Sequence, residues 1–213
     1  MKRLVATIAV MGSLVTAAQA QSASFHEDSG GYRLAVNAAY AKVHEQALPP
    51  IGFVDFCKRF PQSCARQRST PARVALTPER LKELVSVNDH VNKMVKPATD
   101  NELYQVDEYW TIPGEKGDCE DYALLKQYYL EQLGWPRSTL LLTVVIDERG
   151  DGHAVLMVKT TGGDLVLDNQ NPTVLDWSET PYQYVKRQSS YDPKMWEALD
   201  EPTRPGPAAV AAR

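Results

Sequence analysis

A cysteine set among carboxylates is the first place in this sequence where chemistry could happen. In EKGDCEDYALLK, residues 115–126, Cys119 has Glu115 and Asp118 before it and Glu120 and Asp121 after it. Negative neighbours disfavour a thiolate and raise a thiol pKa, so this cysteine is either inert or has those charges offset. Downstream, His153 opens the apolar run HAVLMVKT, and Asp168 closes DLVLD before Asn169 and Gln170. A Cys, a His and an Asp in that order supply what nucleophilic acyl chemistry needs: a thiolate to attack, an imidazole to carry the proton and a carboxylate to orient the imidazole. Of the four histidines, His26 lies in a polar stretch, and His44 and His90 fall on expected helices without an acid and a cysteine in matching order. His153 alone fits, although a histidine opening a strand is as readily structural.

These residues need elements to carry them. The quoted stretch predicts a helix running to about Leu133, with Asp118 as N-cap, Asp121 completing something close to a capping box and Gly134 at the left-handed C-terminal position. Cys119 then sits in the first turn, where unpaired N–H groups and the macrodipole favour an anion and can face a developing oxyanion. The helix end pulls the thiol pKa down while the carboxylates push it up. STLLLTVVID at 138–147, HAVLMVKT at 153–160 and DLVLDNQ at 164–170 read as antiparallel strands joined by hairpins. A turn centred on Gly162-Gly163 sets Asp168 opposite Met157, about 13 Å along the strand from His153. A loop centred on Thr160-Thr161 sets His153 and Asp168 face to face, and this register, or a bulged version of it, is the expectation. Trp110 either lines the cleft or is partly buried packing, and Asn169 either tunes the site or ends a strand before Pro172.

Upstream, TPERLKELVSVNDHVNKMV at 77–95 predicts a helix capped by Thr77, with Pro78 in its first turn and Leu81, Leu84, Val85, Val91, Met94 and Val95 as its core stripe. Residues 31–46 have mixed helical character, ended by Pro49-Pro50. Pro97, Pro113, Gly114 and Gly117 punctuate a linker before Cys119. The pattern is α+β.

The chain opens MKRLVATIAVMGSLVTAAQA, with Lys2 and Arg3 before an apolar run and Ala18-Gln19-Ala20 as a signal-peptidase site. A membrane anchor fits less well, because the run is shorter than the roughly 20 residues of a bilayer span. Residues 1–20 are therefore expected to be a signal peptide, residues 21–200 one domain and residues 201–213, rich in Pro and Ala, a disordered tail. Of the 23 basic residues, removing Lys2 and Arg3 leaves 21 against 27 acidic ones, a net charge of −6. That balance, without clustered Lys and Arg, excludes a nucleic-acid footprint. After export, Cys57 and Cys64 bracket the short loop CKRFPQSC, a spacing a local disulfide can close. Cys119 is left unpaired, as a reactive thiol, an intermolecular partner or a buried residue.

GDCEDYALLKQYYLEQLG, GHAVLMVKT and DLVLDNQ, together with FVDFCKRFPQSC, VNDHVNK and DEYWTIPGEKGDCED upstream, resemble the bacterial transglutaminase-like cysteine proteinases, the periplasmic family of LapG-type adhesin proteases, over about residues 50–180. The resemblance implies a papain-like, transglutaminase-like core with the catalytic Cys at a helix N-terminus packed on an antiparallel sheet. It implies Cys119 as nucleophile, His153 as general base and then acid, and Asp168 as orienting carboxylate. It also implies a calcium-dependent enzyme (Ca2+ as cofactor) that cuts a large surface adhesin near its N-terminus, controls biofilm attachment and is restrained by an inner-membrane cyclic di-GMP receptor. The family's calcium positions match Asp118 and Glu120, with Asp121, Glu115, carbonyls or water completing the shell. Calcium would offset the charge around the thiol, although a cap and first-turn charges also account for these acids without a metal. Two alternatives remain: a transglutaminase or amidase using the same acyl-enzyme, and a calcium-binding interaction module without turnover.

Overall fold

The computed structural model describes residues 31–34, 38–66 and 73–199; the expected signal peptide, His26 and the expected tail lie outside the described residues. In chain order the elements are β1 (Tyr32–Arg33), β2 (Val43–Ala47), α1 (Ile51–Arg59), α2 (Pro78–Met94), β3 (Lys96–Pro97), α3 (Asp100–Tyr104), β4 (Lys116–Gly117), α4 (Cys119–Gln132), β5 (Leu140–Ile146), β6 (Gly152–Thr160), β7 (Gly163–Leu167), β8 (Val174–Asp176), β9 (Gln183–Gln188) and β10 (Trp196–Leu199). Eight strands form one sheet in the order β1-β8-β7-β6-β5-β9-β10-β2. Its pairs are antiparallel except β1 with β8. The expected α+β class, with the cysteine's helix on an antiparallel sheet, is what the chain adopts.

Alternation along the central strands sorts the core into two layers. Leu156 and Val158 of β6 and Leu165 and Leu167 of β7 join the cluster that α1, α2 and α4 cover. Val155 and Met157 of β6 and Val166 of β7 face the other way, onto Trp177, Tyr182 and Tyr184. Helix α4 lies against β5 and β6 on one side and α2 on the other. It is buried from Glu120 through Gln127 and again at Leu130.

Helix α2 matches its expected span and cap, the Thr77 side chain accepting from the Arg80 N–H at 3.3 Å. Its buried stripe runs through Leu81, Leu84, Val87, Asn88 and Val91, with Val95 following. Met94, expected in that stripe, is 39% exposed, because the helix ends there and the chain turns away into β3. Gly134 follows α4 at φ +82°, the left-handed conformation expected of it.

Residues 31–46 correct the helical expectation. They hold β1 and β2 at opposite edges of the sheet, β1 beside β8 and β2 beside β10. Strand β2 is almost wholly exposed, so no buried stripe imposes a period on VHEQA, and pairing with a distant strand decides its conformation. Pro49-Pro50 also does more than stop a segment. Pro50 is the N-cap of α1, a helix the sequence reading did not anticipate, and its carbonyl accepts from Val54 N–H at 3.1 Å.

Candidate active site

The β6–β7 register is neither of the two anticipated. Thr160 pairs with Gly163 and Leu156 with Leu167, so the turn centres on Thr161-Gly162. Continuing by one residue sets Asp168 against Val155, with His153 as its diagonal neighbour on the same face. Diagonal positions are within reach of longer side chains. His153 Nε2 lies 2.8 Å from Asp168 Oδ1, both side chains being buried. Parity was the informative part of the expectation; the register differs from the favoured one by two residues, a diagonal separation that a histidine can span.

Asp168 is held from several sides. Its Oδ1 also accepts the Gln170 N–H at 2.9 Å, and its Oδ2 accepts the Tyr182 hydroxyl. Burial pushes its carboxyl up, but the bonds from His153 and Tyr182 and the Gln170 N–H outweigh that and hold it below the usual carboxylate range. Tyr182 also packs edge-on against the His153 ring at 5.6 Å. The Gln170 side-chain amide lies 3.3 Å from His153 Nδ1.

Cys119 is the first residue of α4 and half-buried. Its thiol donates to Glu120 Oε2 at 3.2 Å. Burial and the neighbouring Glu120 push the thiol pKa well above its ordinary value, and the backbone N–H of Ala154, one residue beyond His153, pulls it down only in part. Cys119 and His153 line one cavity of about 190 Å3 with Glu108, Trp110, Glu120, Ala154 and Lys186. Thiol and imidazole thus share a cavity, while the thiol is directed to Glu120 and the second imidazole nitrogen to Gln170.

The acidic residues around Cys119 divide. Asp118 stands at the N-cap of α4 without capping it. Its Oδ2 instead accepts the Asp100 N–H at 3.1 Å, in the first turn of α3, so the expected capping box at Asp118 and Asp121 does not form. The box lies at Thr99 and Glu102. The parallel pair β3–β4 causes this exchange by laying Lys96-Pro97 along Lys116-Gly117, so that α3 and α4 begin side by side. Ligand atoms of Asp100, Asp118 and Glu120 come within 4.8 Å of one another. Asp100 Oδ1 and Asp118 Oδ1 are buried without a partner. Burial raises the pKa of each of the three, and like charge from Asp118 adds to Glu120, as Asp100 adds to Asp118. A divalent cation with oxygen ligands fits such a group.

Asp121 stands outside that trio. Its Oδ1 accepts the Thr111 N–H at 2.8 Å, and burial pushes its carboxyl up to about 8. Gly117 is required here, because a Cβ on it would lie 2.6 Å from Asp121 Oδ2. Trp110 resolves into both of its readings: it lines the cavity, is 3% exposed and packs edge-on against Phe53 and Trp196. Its indole N–H goes to Glu108 Oε2 at 2.9 Å. The sequence reading missed Asp100, Tyr182 and Gln170. Asp100 carried only the local signal of a helix start, in Thr99-Asp100-Asn101-Glu102, and nothing near Tyr182 pointed to Asp168. Cys57 and Cys64 are joined as expected, with Cα atoms 5.6 Å apart.

The profile described as bacterial transglutaminase-like cysteine proteinase BTLCP matches residues 43–204. No curated protein matches the chain. Among solved structures, calcium-bound LapG of Legionella pneumophila is 26% identical, with a TM-score of 0.48 over 62% of this chain and 77% of that one. The EGTA-treated form of that protein is 26% identical, with a TM-score of 0.48 over 56% and 70%.

Proposed function

This chain belongs to the bacterial transglutaminase-like cysteine proteinases, and is on that ground a cysteine protease; from that premise we propose that it is a calcium-dependent periplasmic endopeptidase that cleaves a large surface adhesin near its N-terminus and so controls attachment. The observation that carries the mechanism is the buried His153–Asp168 pair opening on the cavity that holds Cys119. In this reading Cys119 Sγ attacks the scissile carbonyl and its proton passes to His153 Nδ1, the nitrogen not bonded to Asp168. Asp168 holds the Nε2–H, keeping the ring in one tautomer and stabilising the imidazolium. His153 then protonates the leaving amine, and water releases the acyl group. N–H groups of the first turn of α4 face the oxyanion.

Asp100, Asp118 and Glu120 would hold the calcium. The buried, unpartnered Oδ1 atoms of Asp100 and Asp118, and the raised carboxyl pKa values of all three residues, support this assignment. Bound there, calcium supplies positive charge that offsets the carboxylates crowding the thiol. Asp118 and Glu120 were the expected ligands, and Asp100 joins them; Asp121, the further candidate, gives Oδ1 to Thr111 while its Oδ2 is buried without a partner. Export through residues 1–20, which rests on their signal-peptide pattern, and restraint by an inner-membrane cyclic di-GMP receptor, which rests on the family resemblance, belong to the same proposal.

Incubating the exported chain with its bacterium's large adhesin, in calcium and in EGTA, tests the reading. Two fragments in calcium, and none in EGTA or with Cys119→Ala, are expected. Cleavage that survives Cys119→Ala, or proceeds equally in EGTA, overturns it; cross-linked product in place of fragments indicates transamidation.

A further inference from the structure

Asp168 lies one residue beyond the end of β7, where the strand ladder no longer supplies partners for its backbone. A buried N–H and C=O must both be satisfied, and here α2 satisfies both. Asn88 Oδ1 accepts the Asp168 N–H at 3.1 Å, and Asn92 Nδ2 donates to the Asp168 carbonyl at 2.8 Å. The two asparagines are four residues apart and therefore on one helix face. Asn88 is fully buried, and its Nδ2 donates onward to the Pro172 carbonyl at 3.0 Å. The Asn88 amide does both at once, its oxygen accepting from one backbone group while its nitrogen donates to another. Neither an aspartate nor a leucine of similar size could replace Asn88 without leaving a buried group unpaired.

The same helix is the frame for the nucleophile. Helix α2 packs on α4, and the Tyr122 hydroxyl of α4 donates to the Val95 carbonyl at the end of α2 at 2.6 Å. One helix thus refers both to the element that begins with Cys119 and to the backbone of Asp168. We propose that Asn88 and Asn92 are positioning residues that clamp the Asp168 backbone to α2 and so aim its carboxylate at His153. The proposal rests on Asp168 being the orienting carboxylate. A misplacement of about 1 Å far from the reacting atoms can cost on the order of a hundredfold in rate.

The test is the rate of Cys119 alkylation by iodoacetamide in calcium, for Asn88→Ala, Asn92→Ala, Asp168→Ala and their pairwise combinations. It is read together with the proton resonance of the His153 Nε2–H bonded to Asp168. Asn92→Ala is expected to slow alkylation about tenfold and to weaken that resonance, and to add no slowing in the Asp168→Ala background, because coupled residues are non-additive. Leu84→Ala, which loosens α2 in the core without touching Asp168, serves as the structural control; its effect should multiply with that of Asp168→Ala. Asn92→Asp keeps the side chain's shape while removing its donor, and replaces Asn92→Ala if the alanine variant does not fold. Slowing that multiplies with Asp168→Ala, or an unchanged His153 resonance, overturns the clamp. An Asp168→Ala variant as fast as the parent overturns the reading of Asp168 itself, and the clamp with it.

Discussion

The Tyr182 hydroxyl and the Asp100 carboxylate each have a measurable consequence. The Tyr182 hydroxyl donates to Asp168 Oδ2 and helps hold that carboxyl low against the effect of burial. A depressed carboxylate stabilises the fold above its unfolded-state pKa, and that contribution is lost as pH falls through the folded value. Tyr182→Phe should therefore cost about 1.5 kcal/mol and move acid unfolding to higher pH, as read by urea unfolding between about pH 2 and 5. Asp100→Asn acts on the other group. Without metal it relieves the crowding of Asp118 and should raise the melting temperature. With calcium at a hundred times its dissociation constant, the parent should gain about 2.7 kcal/mol. Asp100→Asn should lose most of that gain, a difference visible on thermal unfolding in calcium and in EGTA.

Elements decide which residues meet. The pair β3–β4 is only two residues long on each side, yet it brings the first turns of α3 and α4 together and converts Asp118 from a cap of its own helix into a partner of the preceding one. The disulfide works on a different element, tying the end of α1 to the 3-10 turn Pro61–Cys64. A crosslink over a loop this short stabilises by about 2–3 kcal/mol in the chain-entropy account. Replacing Cys57 and Cys64 by serine together should lower stability by that amount in denaturant unfolding. The alkylation rate of Cys119 should stay within about twofold of the parent, since neither cysteine lines the cavity.

At the scale of the whole molecule, closing α4 between the sheet and α2 buries a lysine. Lys126 is 1% exposed, and burial lowers its pKa to about 7, with the charge of Asp168 drawing it back up only in part. The unfolded chain therefore binds a proton that the folded chain does not between about pH 7 and its usual value of 10.5, and stability should rise with pH across that window. Lys126→Met should stabilise the protein by on the order of a few kcal/mol below pH 7 and flatten that rise. Stability against pH, from denaturant unfolding at fixed temperature, checks both.

Local patterns were enough where the cause is local. Thr77 and Pro78 began α2, Gly134 closed α4, and the Cys57–Cys64 spacing allowed its bridge. The alternation of β6 and β7 put His153 and Asp168 on one face, because side-chain parity follows from strand geometry whatever the rest of the chain does. Residues 31–46 were misread because their partners, β8 and β10, lie more than a hundred residues away and their own exposed pattern carries no period. Asp100, Tyr182, Asn88 and Asn92 were silent for the same reason: each acts on an atom that reaches it only through the packing of α2, α3, β4 and the sheet. The sequence by itself determined which residues could do the chemistry and which faces they would occupy. The tertiary structure alone decided which carboxylates gather, which nitrogen of His153 meets Asp168 and what holds Asp168 in place, because those distances depend on how separate elements pack.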